Sequence, residues 1–91
     1  MKTHISIRKD WDLIESMIDG NSTILDVGCG EGNLIKQLEN NKQANTRGIE
    51  IDGDLVRNAI SKGLSVIQGN AETDLKQYSD QSFDYVVLSQ T

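Results

Sequence analysis

Proline is absent from the 91 residues, cysteine and histidine occur once each, and Lys+Arg number only 9 against 14 Asp+Glu. Each shortage removes a class of function. A lone cysteine, Cys29, forms neither an internal disulfide framework nor a multi-cysteine zinc site. A net charge of −5, with the few basic residues scattered, is unsuited to nucleic acid, whose phosphates require clustered Lys and Arg. No apolar run comes near the roughly 20 residues of a membrane-spanning helix. The start, Met1-Lys2-Thr3-His4, lacks the basic-then-apolar order of a secretory signal, so a cytoplasmic location is expected.

What remains is an ordinary globular composition, 36% hydrophobic and 25% charged, enough for one small domain over residues 1–91 and no second core. With no proline, glycine and asparagine punctuate the chain. Asp10 is placed to cap a helix over 11–19, in which Trp11, Ile14 and Ile18 share one face and Gly20 marks the stop. Thr23–Val27 reads as a strand, 33–40 as a helix with Leu34, Ile35 and Leu38 inward, and 40–46 as a polar loop. Arg47–Ile51 reads as a second strand. A helix over 54–62 follows, with Leu55, Val56, Ala59 and Ile60 apolar and Gly63 after it. Ser65–Gln68 makes a third strand, a helical turn is expected near Leu75, and Phe83–Leu88 makes a fourth.

Strands alternating with helices of about ten residues indicate βαβ units and a parallel sheet. The fold class is therefore α/β, three-layer, with right-handed crossovers placing helices on both faces. Tyr85-Val86-Val87-Leu88 is apolar throughout, as befits a strand covered on both sides. The sequence stops three residues later. That leaves this strand with an edge open to self-association, and the expectation is a piece of a longer protein or a chain completed by a partner.

In a parallel sheet, ligands bind beyond the carboxyl ends of the strands. Gly28-x-Gly30-x-Gly32 follows the first strand there. Its glycines permit a sharp turn and close approach of backbone to a ligand, and the next helix begins with free N–H groups. The spacing is tighter than the dinucleotide fingerprint G-x-G-x-x-G, whose third glycine falls on Asn33. Glu50, at the end of the second strand, stands where a carboxylate accepts hydrogen bonds from ribose hydroxyls. The plain alternative is a solvated strand-end acid. Asp52, just beyond, suits a cap or turn. Gly69-Asn70-Ala71-Glu72 ends the third strand on the same sheet edge. There Asn70 and the Ala71 N–H are placed either for an adenine edge or for a simple turn.

Ile24-Leu25-Asp26-Val27-Gly28-Cys29-Gly30-Glu31-Gly32, Gly48-Ile49-Glu50-Ile51-Asp52 and Phe83-Asp84-Tyr85-Val86-Val87-Leu88 resemble, in order and spacing, successive motifs of class I S-adenosylmethionine-dependent methyltransferases. The nearer resemblance is to the MetW family of methionine-biosynthesis proteins. It rests on Arg8-Lys9-Asp10, Gly63-Leu64-Ser65-Val66-Ile67-Gln68-Gly69 and Phe83–Thr91, and covers the amino-terminal half of a family member. The resemblance implies a Rossmann-like sheet of strand order 3-2-1-4, binding S-adenosylmethionine or S-adenosylhomocysteine. Gly28, Gly30 and Gly32 would lie along the methionine part, with Asp26 supporting the loop or meeting the amino group. Glu50 would bind the ribose, Ile51 would pack on the adenine, and Asn70 and Ala71 would meet its edge. Asn70 departs from the family's usual Asp, although an amide oxygen still accepts from the adenine amine.

Three functions follow. One is a MetW-like partner of homoserine O-acetyltransferase in methionine biosynthesis, as the resemblance implies. The second is an active methyltransferase, whose main service to an in-line displacement is proximity and orientation. The third, an NAD-type dinucleotide domain, is disfavoured by Asn33. No general base stands out beside the motifs. His4 falls in what reads as a mobile amino-terminal arm, Cys29 as a small residue in a tight turn, and Trp11 and Met17 as packing residues. Ser89-Gln90-Thr91 fall at the carboxyl end of the fourth strand, where a bound methyl group would be near, and are candidates to line the reaction side.

Overall fold

Asp10 opens the first helix, its carboxylate accepting the Leu13 N–H at 3.0 Å. Helix α1 runs Trp11–Met17 and ends two residues before the expected stop, because Ile18 turns to extended backbone at φ −99°, ψ 130°. Trp11 packs on the core as expected. Met17 does not: it is 47% exposed, lying on the flank of the face that Ile14 and Ile18 define. The computed structural model that shows this describes residues 3–5, 10–70, 73 and 83–89.

Five strands follow the chain as β1 (Thr3–Ile5), β2 (Thr23–Val27), β3 (Asn45–Glu50), β4 (Val66–Gln68) and β5 (Tyr85–Leu88), with α2 (Asn33–Lys42) and α3 (Gly53–Ser61) between them. All pair in parallel in the order β1-β5-β2-β3-β4. The four strands expected from the sequence thus take the order 3-2-1-4.

Two expectations are corrected. The amino-terminal segment is not wholly a loose arm, since Thr3, His4 and Ile5 pair in register with Tyr85, Val86 and Val87. The outer edge of β5, expected to be open for self-association, is therefore occupied by β1 over those residues. The polar stretch 40–46 is likewise not all loop. Helix α2 continues to Lys42, Gln43 turns the chain through the left-handed region at φ 50°, and Asn45 and Thr46 already pair with Thr23 and Ile24. Pairing to β2 and burial of Thr46 override its polar composition. The helical turn expected near Leu75 lies outside the described residues, apart from a helical Thr73.

The three helices pack on one face of the sheet. Ile14, Ile18, Leu34 and Leu38 meet Ile24 and Val87 there, and Ile35, Val56 and Ala59 meet Val66 and Cys29. Glu15 ties α1 to α2 by accepting from Gln37 at 3.0 Å and Asn41 at 2.8 Å. On the opposite face Leu25, Val27, Ile49, Phe83 and Val86 form a second buried cluster. A helix on that face, as a three-layer arrangement requires, is not among the described residues. No described helix is long and apolar enough to cross a membrane.

Because every strand runs the same way, all carboxyl ends emerge along one edge. Strand alternation then sorts the side chains. Asp26 and Glu50, with Ser89 just past β5, point to the helix-covered face, since their registers interleave with those of Ile24, Gly48 and Val87.

Candidate functional site at the carboxyl edge

The glycine loop leaves β2 under firm control from β3. Gly28 and Cys29 both donate their N–H to the Ile49 carbonyl, at 2.8 and 3.2 Å. Gly32, the N-cap of α2, stands at φ +88°, and a Cβ there would collide with the Leu64 side chain. The left-handed backbone is what favours glycine here, since the Leu64 methyl can shift aside. Gly48 is required for space alone. It sits opposite Asp26, where an added Cβ would come within 2.5 Å of Cys29 Sγ and 2.8 Å of Ile35 Cδ1. A glycine inside a strand marks such a close approach.

Cys29 is the residue that occupies the space Gly48 leaves. Burial first, and then the carboxylates of Asp26 and Glu50, push its thiol up to about 12, so the nucleophilic thiolate is scarce near neutrality. Its role is packing within the turn, as expected.

Glu50 is buried and closes the loop from below. Its Oε1 accepts the Gly30 N–H at 2.8 Å, and its Oε2 accepts the Asp52 N–H at 3.0 Å. Each carboxylate oxygen keeps a second lone pair for a further donor. Asp52 in turn caps α3, its Oδ1 accepting the N–H of Asp54 at 2.9 Å and of Leu55 at 3.4 Å. The end of β4 is drawn in by the Gly69 N–H, which donates to the Glu50 carbonyl at 3.0 Å. Ile51 is 65% exposed directly beside the buried Glu50. Asn70 stands exposed at the same edge, whereas Ala71 lies outside the described residues.

Asp26 is fully buried. Its Oδ1 accepts the Ser89 hydroxyl at 2.6 Å, and its Oδ2 has no hydrogen-bond partner among the described residues. Burial raises its carboxyl from 3.8 to about 7, with the Glu50 charge adding and the Ser89 hydrogen bond opposing. A buried carboxyl perturbed in this way at a strand end marks a functional-site candidate. The sequence pattern placed Ser89 on the reaction side but did not join it to Asp26, because the two are 63 residues apart and only the β2–β5 pairing brings them together. No group of three His, Cys, Asp or Glu suited to a metal occurs among the described residues.

Solved structures share the fold that carries this edge. A TehB-like S-adenosylmethionine-dependent methyltransferase from Corynebacterium glutamicum superimposes with a TM-score of 0.75 at 26% identity, over 90% of this chain and 44% of that one. The plantazolicin methyltransferase BamL, crystallised with S-adenosylhomocysteine, gives 0.62 at 31% identity over 71% and 25%. TrmK of M. capricolum, also in complex with S-adenosylhomocysteine, shares the fold at a TM-score of 0.70 and 18% identity, over 87% of this chain and 39% of that one. Among curated proteins, the bifunctional methionine biosynthesis protein MetXA/MetW of Rhodopirellula baltica is 26% identical over 95 aligned positions, covering 96% of this chain. The chain spans only 15% of that relative's length. The family model of methionine biosynthesis protein MetW matches residues 8–91, and this chain therefore belongs to the MetW family.

Proposed function

We propose that the chain binds S-adenosylmethionine or S-adenosylhomocysteine at the carboxyl edge of β2, β3 and β4, as part of a MetW protein acting with homoserine O-acetyltransferase in methionine biosynthesis. The observation that carries this reading is the 2.8 Å hydrogen bond from Gly30 to Glu50. It holds the glycine loop and the strand-end carboxylate together as one site.

The residues suit the ligand. Glu50 offers acceptor lone pairs to ribose hydroxyls beside the exposed face of Ile51, on which a purine can lie. Asp26 Oδ2, without a hydrogen-bond partner among the described residues, suits a cationic group, and Gly28, Gly30 and Gly32 keep side chains away from the methionine portion. Asn70 and Ala71 take the adenine edge in this assignment. Of the two ligands, S-adenosylmethionine would supply an activated methyl group, and the chain's own residues would bind and orient it. S-adenosylhomocysteine in the crystal of BamL, 31% identical over the shared region, supports the ligand class. The single-chain MetXA/MetW relative supports the partnership. Methyl transfer itself is the second reading, favoured by the named activities of the structural relatives.

Calorimetric titration with S-adenosylhomocysteine tests the site. Saturable binding is expected, weakened at least about tenfold in Glu50→Ala, the order expected on losing a charge-assisted hydrogen bond. Absence of binding by a chain folded by circular dichroism would refute the cofactor assignment. Acetyltransferase activity that rises on mixing with this chain supports the partnership, and unchanged activity with no complex on gel filtration opposes it.

A further inference from the structure

Ser89 has one hydroxyl proton and two acceptors. Its Oγ lies 2.6 Å from Asp26 Oδ1 and 3.2 Å from the Gly28 carbonyl, while its own N–H is anchored on the Val27 carbonyl at 3.1 Å. Ser89 is buried, as is Asp26. Two hydrogen-bonding states fit this geometry. With Asp26 ionised, Ser89 donates to Oδ1. With Asp26 protonated on Oδ1, the acid donates to Ser89 Oγ, and Ser89 turns its proton to Gly28, the first glycine of the loop. The second state gives both hydroxyl protons and the Gly28 carbonyl a partner, and leaves Oδ2 neutral and no buried charge on the carboxyl. The first leaves Oδ2 charged and without a partner among the described residues. Such an atom awaits a donor, and preferably a cation.

We infer that Ser89 and Asp26 form a two-state proton relay, in which a ligand cation at Oδ2 displaces the Asp26 proton to solvent and swings the Ser89 hydroxyl from Gly28 to Asp26. This rests on the proposed cofactor site, and deepens it by making ligand charge the selected property. The balance is one proton out and none consumed, with the ligand ammonium keeping its own protons. The charged and titratable groups around Asp26 are few. Glu50 faces it from β3 and Cys29 from the loop, while β5 contributes Ser89 and α2 the apolar Leu34, Ile35 and Leu38. The neighbouring acid and the thiol are negative or neutral, so nothing described there supplies the cation. The raised Asp26 carboxyl, about 7, fits a proton present before the ligand arrives.

The test is calorimetry at pH 6 in two buffers of different ionisation enthalpy, comparing S-adenosylhomocysteine with 5′-methylthioadenosine, which lacks the amino-acid portion. Release of about 0.9 proton is expected with the first at pH 6 and about 0.1 at pH 8, with affinity roughly tenfold higher at pH 8. The second ligand releases none. Asp26→Asn should bind S-adenosylhomocysteine without proton release or pH dependence. In the unliganded chain, carbon-13 carboxyl NMR should show Asp26 titrating near neutrality, and at higher pH in Ser89→Ala. Binding without proton release at pH 6 would overturn the relay and leave the cofactor reading standing. Failure of both nucleosides to bind overturns the cofactor reading, and with it the ligand-coupled step. An Asp26 titration unmoved in a folded Ser89→Ala overturns the relay whatever binds.

Discussion

The buried Asp26 carboxyl makes the stability of this protein depend on pH in a direction opposite to the usual acidic residue. Its carboxyl titrates at about 7 in the folded chain against 3.8 unfolded, chiefly because burial penalises the charge. The folded state therefore holds the proton more tightly. Between these two values the unfolded chain has already lost a proton that the folded chain keeps, so stability falls as pH rises. The slope is about 1.4 kcal/mol per pH unit, giving a loss of about 3 kcal/mol from pH 4.5 to 8. That is a large part of the roughly 5–15 kcal/mol that holds a small domain together. Asp26→Asn abolishes the titration and keeps an acceptor for Ser89, but leaves a buried amide donor in place of Oδ2, at a cost of about 1–3 kcal/mol. At pH 4.5 the wild type should be the more stable. By pH 8 the difference should have moved by about 3 kcal/mol in favour of the variant, enough to cancel or reverse the order. Urea unfolding followed by far-UV circular dichroism, at fixed ionic strength across pH 4.5–8, reads this difference, and titrations common to both chains cancel in it. Parallel stability curves, differing by a constant over the whole range, would refute the reasoning.

Two further outcomes are expected. Gly48→Ala should cost roughly 1–3 kcal/mol by overpacking against Cys29 Sγ and Ile35 Cδ1, and Gly48→Ala combined with Cys29→Ala should recover part of it; equal losses in the single and double variants would contradict the proposed contact. Cys29, buried with its thiol pushed up to about 12, should resist alkylation by iodoacetamide at pH 8 in the folded chain and react rapidly in urea, a difference that mass spectrometry checks directly.

The glycine loop, the carboxylate at the end of β3 and the apolar β5 were legible because each is a local pattern. Gly28, Gly30 and Gly32 declare a turn by composition, Glu50 follows an apolar strand, and Asp10 and Asp52 are caps whose partners lie two or three residues away. The β1 pairing was not legible. Thr3–Ile5 gains its strand from an edge more than 75 residues distant, and three residues carry too little pattern to announce a strand. The strand at Asn45 and Thr46 is hidden from composition for the same reason, their extended backbone being set by β2 and not by their own propensity.

The sequence by itself determined that strands and helices alternate, that the strands run parallel, and that glycines and acids collect at their carboxyl ends, since hydrophobic period, capping and turn chemistry act over a few residues. Only the tertiary structure decided that Gly48 yields its space to Cys29, that Glu50 grips the loop at Gly30, and that Ser89 closes on a buried Asp26. Those contacts join residues from separate strands. The register of the sheet sets which side chains meet, and the exclusion of water there sets what their charges cost.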